Sequence, residues 1–541
     1  MLFKRKIKLI FLPIYFSFFS LSNFTKAEIN LNSINDTKTI INKSDNSICK
    51  IGYCNIYGGI KSGKNLFHKF KSFDTRGRIK EVKFFNESQK NVIVGVSSKN
   101  GTFINKPIKL QGLANLFWVS PYGLKIEKGG VFVNAKNLNF STANSLSFSD
   151  NIFDVFKNNK YHLKDFSSEP GFNNNPNIKK NNLNLANVEI SDTNIVVDEK
   201  LYIHSPNGSV HIDNSKLKTS AKNNGEITIT GESVFLTGNS HLISMGKDYG
   251  GLIQIGGSWQ NSNKQISQSN KTIIEDKVVI NASSNNGKGG IIVIWSDINN
   301  KKGLTRVKGT LISNGNKGGS IETSGANLDV KDIEISLKSK EGDDGLWLLD
   351  PFDFVINETT KVSIENALRK GTNVIITTSN KIDFELSPVE KEVTFFKNYS
   401  DDRKSDIGDI KIDDKIDFST GQGTLKLIAD NEIKVNADII SGPGGLLMRA
   451  PKGINGKGSI YINPKKKKYK FNENNPNKVA NFLSIDQNVD SQFKGEIIGN
   501  GSSSIYKFGN GELSLSYKLK DFADPIYGFK AGEIISLQDI F

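Results

Sequence analysis

Between residues 183 and 349 the sequence repeats one short pattern, in which a glycine-led turn precedes a run of β-branched and aliphatic residues. The copies are spaced irregularly, near multiples of a solenoid turn of roughly 20 or more residues. A unit of that length cannot bury its apolar side alone, so neighbouring copies must stack and share one core. The clearest copies are residues 225–230, 250–255, 289–294 and 318–323.

Length and composition also favour an elongated all-β fold. A chain of 541 residues is too long for one compact core. Short β-branched runs separated by Gly, Asn, Ser and Asp fill the sequence, which is typical of strands joined by turns. The one convincing amphipathic helix is Val362–Arg369, which Gly371 stops. Residues 150 to about 183 break the strand pattern, and we interpret them as an excursion from the stack.

The chain carries a formal net charge of +15, but the basic excess is spread thinly. The only dense basic run is Lys465–Lys468. We interpret this run as a solvated loop, and contact with anionic surface polysaccharide or lipid headgroups is the functional alternative. No aromatic-studded basic motif accompanies the charge, so we expect no nucleic-acid partner.

The N-terminus has the organisation of an export signal. Basic residues precede the apolar run Leu9–Leu21, and Thr25 and Ala27 place small residues at the positions that a signal peptidase reads. We therefore predict cleavage between Ala27 and Glu28. The alternative is a membrane anchor, but the run is shorter than the about 20 residues that a membrane span needs.

The sequence has two cysteines, Cys49 and Cys54. In an exported protein a close pair can form a disulfide, which we favour over two free thiols. A zinc site would need further ligands, and no histidine lies within a few residues of the pair.

Three short motifs follow in a fixed order. The first is Asn65–Phe70, the second runs from Ala114 to Leu124, and the third is Ser141–Leu146. Together they resemble the haemagglutination-activity domain, or two-partner secretion domain, of the filamentous haemagglutinin family. The residues that we expect to serve secretion, through transporter recognition or folding, are Asn65, Leu66, Phe67, Asn115, Leu116, Phe117, Pro121, Gly123 and Leu124.

This sequence departs from the family's pattern at one turn. The family usually carries Asn-Pro-Asn-Gly-Ile there, whereas Ser120 and Tyr122 replace the two asparagines in this chain. Pro121 and Gly123 keep the backbone chemistry of the turn, but we expect the two side-chain caps to be lost. The family's second Asn-Pro-Asn-Leu motif has no clear counterpart.

The resemblance implies a right-handed parallel β-helix with an N-terminal cap and excursions. It also implies export through the periplasm to the medium or the outer cell surface, with an outer-membrane two-partner-secretion transporter as partner. We hypothesise an adhesin or cell-surface structural protein, whose ligand is a surface polysaccharide or a receptor on a host or neighbouring cell. The domains that we predict are a signal peptide (1–27), the secretion domain (28–165), a β-helical passenger (166–350), a second β-solenoid-like segment (351–464) and an irregular C-terminal region (465–541).

The sequence gives no catalytic set, no metal site and no cofactor motif above chance. His204 and His211 have only Asp213 nearby as a third ligand. The adjacent carboxylate pairs at 343–344, 401–402 and 413–414 fit solvated turns better than a dyad, because neighbours on a strand face opposite sides. We therefore expect no enzyme. The alternatives are a β-helical polysaccharide-active enzyme and the N-terminal part of a haemolysin or contact-dependent toxin.

Overall fold

The computed structural model describes residues 27–31, 36–43, 48–149, 151–157, 166–171, 186–341, 344–378, 408–467, 481–508, 511–515 and 520–527. The predicted leader, apart from Ala27, lies outside these residues. The described chain is nearly all β, and most strands pair in parallel. The all-β prediction is confirmed.

The N-terminal part has a cap of antiparallel strands followed by parallel ones. In the cap, β1 pairs antiparallel with β3 and β6, β2 pairs with β4, and β5 pairs with β6. The strands are β1 Ile29–Leu31, β2 Thr39–Ile41, β3 Ile48–Cys49, β4 Ile51–Gly58, β5 Ile60–Ser62, β6 Asn65–Asp74, β7 Arg78–Phe84, β8 Asn91–Val96, β9 Thr102–Ile104, β10 Ile108–Val119, β11 Leu124–Ile126, β12 Phe132–Ser141, β13 Ser145–Phe148 and β14 Asn151–Asp154.

From Val188 to Pro351 each strand pairs in parallel with a strand of the next repeat, and β12 already pairs with β17 across the excursion. The strands are β15 Val188–Ser191, β16 Asn194–Val197, β17 Lys200–Asp213, β18 Lys216–Thr219, β19 Glu226–Thr237, β20 His241–Ile243, β21 Leu252–Ile255, β22 Lys271–Ile274, β23 Val279–Asn281, β24 Ile291–Trp295, β25 Leu304–Val307, β26 Thr310–Ile312, β27 Ser320–Gly325, β28 Asn327–Asp329, β29 Glu334–Ser336 and β30 Leu346–Pro351.

Beyond Pro351 the main sheet continues, since β30 pairs in parallel with β32, and six of the remaining strands form a separate six-stranded sheet. The predicted helix is confirmed as α1, Lys361–Arg369, which buries Ile364, Ala367 and Leu368. The elements are β31 Phe354–Ile356, α1, β32 Asn373–Thr377, β33 Ile410–Ile412, β34 Ile416–Asp417, β35 Leu425–Ile428, β36 Ile433–Val435, β37 Ile439–Ser441, β38 Leu446–Arg449, β39 Ile454–Gly456, β40 Ile460–Ile462, β41 Phe482–Asp486, β42 Ser491–Phe493, β43 Ile497–Phe508, β44 Leu513–Leu515 and β45 Lys520–Tyr527.

One aliphatic column shows how the repeats share a core. Residues at one register position point inward in every repeat, and each is buried. Successive members lie on strands paired in parallel, so their side chains stack at the strand spacing of about 4.8 Å. They form part of one continuous cluster that extends from Ile29 to Leu513. The column in one six-stranded sheet is Ile195, Leu217, Leu242, Ile280, Leu311 and Ile335.

Strands also run through the region beyond residue 465 that the sequence analysis treated as irregular. There β41 pairs in parallel with β38 and with β43. The apolar residues that β41 and β43 bury include Leu483 and Ile485 on β41 and Ile505 on β43. Short strands between polar turns leave little periodicity in the sequence, which is why the pattern did not reveal them.

Within the described residues, no helix has both the length and the apolar character that crossing a membrane requires.

Candidate functional site

The structure places the two Asn-Leu-Phe segments at the same position on stacked strands. Asn65 at the start of β6 pairs with Asn91 on β8, and Asn91 pairs with Asn115 on β10. Asn137 on β12 takes the next position. The two segments are far apart in the sequence, and β8 lies between them. We call these four residues the asparagine ladder: Asn65, Asn91, Asn115 and Asn137.

The amides of the asparagine ladder are joined head to tail. Asn91 Nδ2 donates to Asn65 Oδ1 at 2.7 Å, and Asn115 Nδ2 donates to Asn91 Oδ1 at 2.7 Å. Asn137 Nδ2 donates to Asn115 Oδ1 at 2.9 Å. Each amide polarises the next, so the bonds of such a chain strengthen one another. The ladder also fixes the strand register, because a slip of one residue would turn every amide to the opposite face.

The residues beside the ladder separate two apolar clusters. Neighbours on a strand point to opposite faces, so Val92 and Leu116 enter the main core. Leu66, which pairs with Val92, is likewise buried, at 1% exposure. Phe67, Ile93 and Phe117 point outward and stack in register on β6, β8 and β10. These three outward residues are nonetheless buried, at 0%, 0% and 8% exposure. Each Asn-Leu-Phe segment therefore supplies one side chain to the core and two to the outer face.

A segment from later in the chain covers the outer face. The strands β13 and β14 form an antiparallel hairpin, and Ser147 exchanges backbone hydrogen bonds with Gly171 at 2.8 and 2.9 Å. We call β13, β14 and residues 166–171 the cover. Its rings surround Phe67, with centroid separations from Phe148, Phe153 and Phe166 of 5.4, 5.4 and 5.9 Å. Such tilted and edge arrangements are favourable aromatic contacts.

The cover also satisfies the polar end of the ladder. Asn65 Nδ2 donates to the backbone carbonyls of Phe166 at 2.7 Å and Ser168 at 2.8 Å. Asn91 Nδ2 reaches the Glu169 carboxylate at 2.9 Å. These bonds matter because a buried amide without an acceptor costs about 1–3 kcal/mol.

A buried ion pair joins the cap to the same face. Lys69 Nζ lies 2.9 Å from Asp36 Oδ2, with side-chain exposures of 4% and 2%. Lys69 also donates to the carbonyl of Lys157 at 2.7 Å. Removing one partner of such a pair strands a charge in the interior, which destabilises by about 3–5 kcal/mol.

His68 lies inside the first motif but points into the core. Its Nδ1 lies 3.0 Å from Thr39 Oγ1, and the ring is fully buried. Burial lowers the pKa of His68 to about 3, so the ring is neutral at physiological pH. Thr39 belongs to the cap strand β2, so the contact ties the cap to β6.

The turn after the second motif corrects one expectation. Gly123 N donates to Ser120 O at 3.0 Å, and Gly123 has a φ of 115°, a conformation that favours glycine. Ser120 Oγ donates to Gly123 O at 2.7 Å and accepts from Thr102 Oγ1 at 2.9 Å. The prediction that both side-chain caps are lost is therefore wrong at Ser120, because its hydroxyl closes the turn in place of an amide. Leu124 starts β11 and is buried.

Cys49 and Cys54 are joined by a disulfide. It links β3 to β4, and both residues are buried in the cap. At the predicted cleavage position, Glu28 accepts a hydrogen bond from Asp74 N through its backbone carbonyl, and its carboxylate lies 3.5 Å from Lys50.

The two histidines considered as metal ligands, His204 and His211, make separate contacts with other residues. His204 is buried against Thr230, its Nδ1 2.9 Å from Oγ1, and burial lowers the pKa of His204 to about 4. His211 instead stacks on Phe235, with centroids 4.6 Å apart. Across the ranges that the structure describes, no group of three or more His, Cys, Asp or Glu residues could hold a metal ion.

The adjacent carboxylates take part in separate local contacts. Asp344 accepts from Ser339 N at 2.7 Å, Asp413 accepts from Asn436 Nδ2 at 2.7 Å, and Asp414 pairs with Lys361 at 2.9 Å. The pair at 401–402, and residue 343, lie outside the described residues.

No model of a known protein family matches the sequence, and no curated protein is found to be similar to it. The resemblance to the filamentous haemagglutinin family therefore rests on the short motifs.

Two of the four ladder residues, Asn65 and Asn115, lie in the motifs, whereas the other two do not. Asn91 and Asn137 belong to no motif, and Val92-Ile93 after Asn91 does not look like Leu-Phe. The signal that could have found them is the recurrence of one asparagine before an alternating apolar run on each of four successive strands. The aromatic residues of the cover gave no signal, because their partners are distant in the sequence.

Proposed function

We propose that this chain is an exported exoprotein of the two-partner-secretion type, similar to filamentous haemagglutinin, that serves as an adhesin or cell-surface structural protein. Its secretion domain is recognised by an outer-membrane transporter. The fold that we propose is a right-handed parallel β-helix with an N-terminal cap and an excursion that forms the cover.

The parallel pairing supports the β-helix. Strands of one repeat pair with strands of the next from β12 to β45, and the inward residues form continuous columns. Parallel strands in one sheet are joined by right-handed connections in nearly all proteins, which is the basis for the handedness. The antiparallel cap closes the edge that the first parallel strand would otherwise expose.

The asparagine ladder is the single observation that carries the functional proposal. The family-like motifs give Asn65 and Asn115 equivalent places in a stack, together with Leu and Phe at the next two positions. Two segments that resembled each other only by chance would not share the same register, the same face of the sheet and the same hydrogen-bonded ladder. The coincidence supports reading the two segments as parts of one secretion domain.

The proposed mechanism is recognition followed by templated folding. Strand addition is a common way to bind an extended segment, because its backbone groups pair with a free sheet edge. The exported segment first binds the transporter in this way. The antiparallel cap then provides the edge on which β7 and later strands pair, one repeat after another.

The enzyme alternative needs convergent carboxylates. A glycosidase holds two carboxyl groups about 5–10 Å apart across a bound sugar. In the described part of the chain, the candidate carboxylates Asp344, Asp413 and Asp414 are engaged in separate contacts with a backbone amide, an asparagine and a lysine. We therefore favour a binding function, with surface polysaccharide or a receptor on a host or neighbouring cell as ligand. Cleavage of acidic polysaccharides by the purified protein would refute it.

Export tests the proposal directly. Cells that produce the chain with or without its transporter are fractionated, and we expect surface or medium protein only when the transporter is present. A double variant, Pro121→Ala with Gly123→Ala, should reduce export at least tenfold, because Ala at the Gly123 φ of 115° strains the turn after the second motif.

The chain contains a matched control for the turn variant. Pro443 and Gly445 have the same spacing in a later turn, where Gly445 has a φ of 80° and donates to Gly442 O at 3.2 Å. Pro443→Ala with Gly445→Ala should leave the initiation of export intact. Equal export of both double variants, or protein that stays periplasmic with and without the transporter, contradicts the proposal.

A further inference from the structure

The outer face of β6, β8 and β10 has the chemistry of a binding surface for a second segment. Removing the cover would expose the rings of Phe67 and Phe117, the side chain of Ile93 and the amides of Asn65 and Asn91. In the folded chain all of these are occupied by the cover. The contacts span about a hundred residues of sequence, since Asn65 bonds the carbonyls of Phe166 and Ser168.

The face therefore forms before its cover can reach it. The strands β6, β8 and β10 end at Val119, whereas the cover begins at Ser145 and includes residues up to 171. If the chain folds outward from its N-terminal cap, an apolar face with two amides not yet bonded to the cover exists for the interval between them. Exposing large apolar side chains to water is unfavourable, so the interval favours any other occupant that buries them and accepts hydrogen bonds from the amides.

We propose that this face is the docking surface for an extended segment of the transporter, and that the cover later displaces that segment. The inference rests on the proposed function, since it takes the transporter as partner. The cover's own contacts give the chemistry of the occupant. It must supply aromatic rings around Phe67, two backbone carbonyls for Asn65 and a carboxylate for Asn91.

The position of Glu169 adds a charge requirement. Its carboxylate accepts from Asn91 Nδ2 at 2.9 Å, and it lies 3.9 Å from Lys64 Nζ. An occupant that replaces the cover thus meets a lysine and an amide donor at one end of the face, and an acidic residue fits both. The partner is an acidic, aromatic-containing extended or hairpin segment.

Displacement provides a release step. Because cover and transporter segment use the same donors and the same apolar column, they cannot occupy the face together. The cover belongs to the same chain, so its effective concentration is high once it has emerged. The completed secretion domain then binds the transporter more weakly than the uncovered face does, and the folded protein leaves.

The test loosens the cover without altering the docking surface. The variant Phe153→Ala with Phe166→Ala removes two buried rings that contact Phe67. The control, Phe354→Ala with Phe418→Ala, removes two buried rings of the main core that lie outside this face. Binding of each full-length folded protein to the immobilised periplasmic domain of the transporter is measured as a Kd.

We expect the cover variant to bind at least tenfold more tightly than the unaltered protein, and the control to bind like the unaltered protein. Adding Phe67→Ala to the cover variant should remove the gain. If the cover variant and the control differ less than twofold, or if the gain survives Phe67→Ala, the docking inference is wrong. If no form binds, including the unaltered chain freshly diluted from urea, the proposed recognition by the transporter itself fails.

Discussion

Replacing Asn91 by alanine tests whether the asparagine ladder holds the strands β6, β8 and β10 together. Asn91 lies in the interior of the ladder, is fully buried, and uses its amide in both directions. It donates to Asn65 and to Glu169, and it accepts from Asn115. The alanine variant removes all three bonds without changing a motif residue.

The expected loss follows from the groups that the substitution leaves behind. Asn65 Oδ1 loses its donor and Asn115 Nδ2 loses its acceptor. The Asn65 oxygen is fully buried and costs about 2 kcal/mol without a partner, whereas the part-buried Asn115 amide costs about 1 kcal/mol. The bond to Glu169 adds little, because that side chain is 66% exposed and water replaces the lost donor. We expect the free energy of local opening to fall by about 3 kcal/mol.

Asn270 provides a matched control with the same connectivity on the surface. It donates to Glu232 Oε1 at 3.2 Å and accepts from Asn300 Nδ2 at 2.9 Å. Both bonds are exposed, so Asn270→Ala should change stability by no more than about 0.5 kcal/mol. Comparing the two variants separates the effect of burial from the effect of having an asparagine bonded to two partners.

The assay is native-state hydrogen exchange read by mass spectrometry in peptides that cover β6, β8 and β10. A local measurement is needed because long stacked-repeat proteins do not unfold in one cooperative step. We expect Asn91→Ala to speed exchange in these strands by about two orders of magnitude, and Asn270→Ala to leave exchange in β19 and β22, the strands beside it, unchanged. A loss below about 1 kcal/mol for Asn91→Ala, or equal losses for both variants, would show that the ladder does not stabilise these strands.

Two further predictions concern the cap and pH. Reducing the disulfide, or replacing Cys54 by serine, should lower the opening free energy of the cap by about 2 kcal/mol, the entropic value for so short a loop; unchanged exchange in β3 and β4 would contradict it. Burial lowers the pKa of His68 to about 3 and of His204 to about 4, so only the unfolded chain takes up their protons as pH falls below about 6.5. Stability should be full above pH 6.5 and decline towards pH 4, by about 2 kcal/mol per histidine at pH 5. Hydrogen exchange in the peptides around β6 and β17, compared at pH 7.5 and 5 after correction for the intrinsic exchange rate, measures this loss. His204→Gln should reduce the loss around β17, and a flat profile would refute the prediction.

The repeats and the helix could be predicted from the sequence because their signals are local. A glycine-led turn before a β-run indicates where a strand begins. One aliphatic residue per repeat is enough to build a buried column, such as Leu217 stacked on Leu242. The helix α1 shows its own period of buried residues, Ile364, Ala367 and Leu368. Each of these features lies within a few residues of the pattern that indicates it.

The cover and the two ladder residues Asn91 and Asn137 could not be predicted in this way. Their formation depends on pairings between distant segments, such as Asn65 with Phe166 and Ser168. A single sequence contains no sign of which outward residue will be covered, because Phe67 follows the same alternation as an exposed residue would. The Ser120 cap itself is local, since its hydroxyl donates to Gly123 O, but the hydroxyl that donates to Ser120 belongs to Thr102 on an earlier strand.

The division of each Asn-Leu-Phe segment between two faces explains why three residue types recur together. Leucine at the central position is interchangeable with Val92, since any aliphatic side chain fills the inner column. The outward pair is more restricted, because an amide offers two N–H donors as well as an acceptor and can bond both the stack and the cover, while a ring packs against the cover. Leu66 therefore contributes to stability alone, whereas Asn65 and Phe67 contribute to stability and also determine what may cover the outer face. A substitution at Leu66 should weaken folding alone, but substitutions at Asn65 or Phe67 should also change which segment binds there.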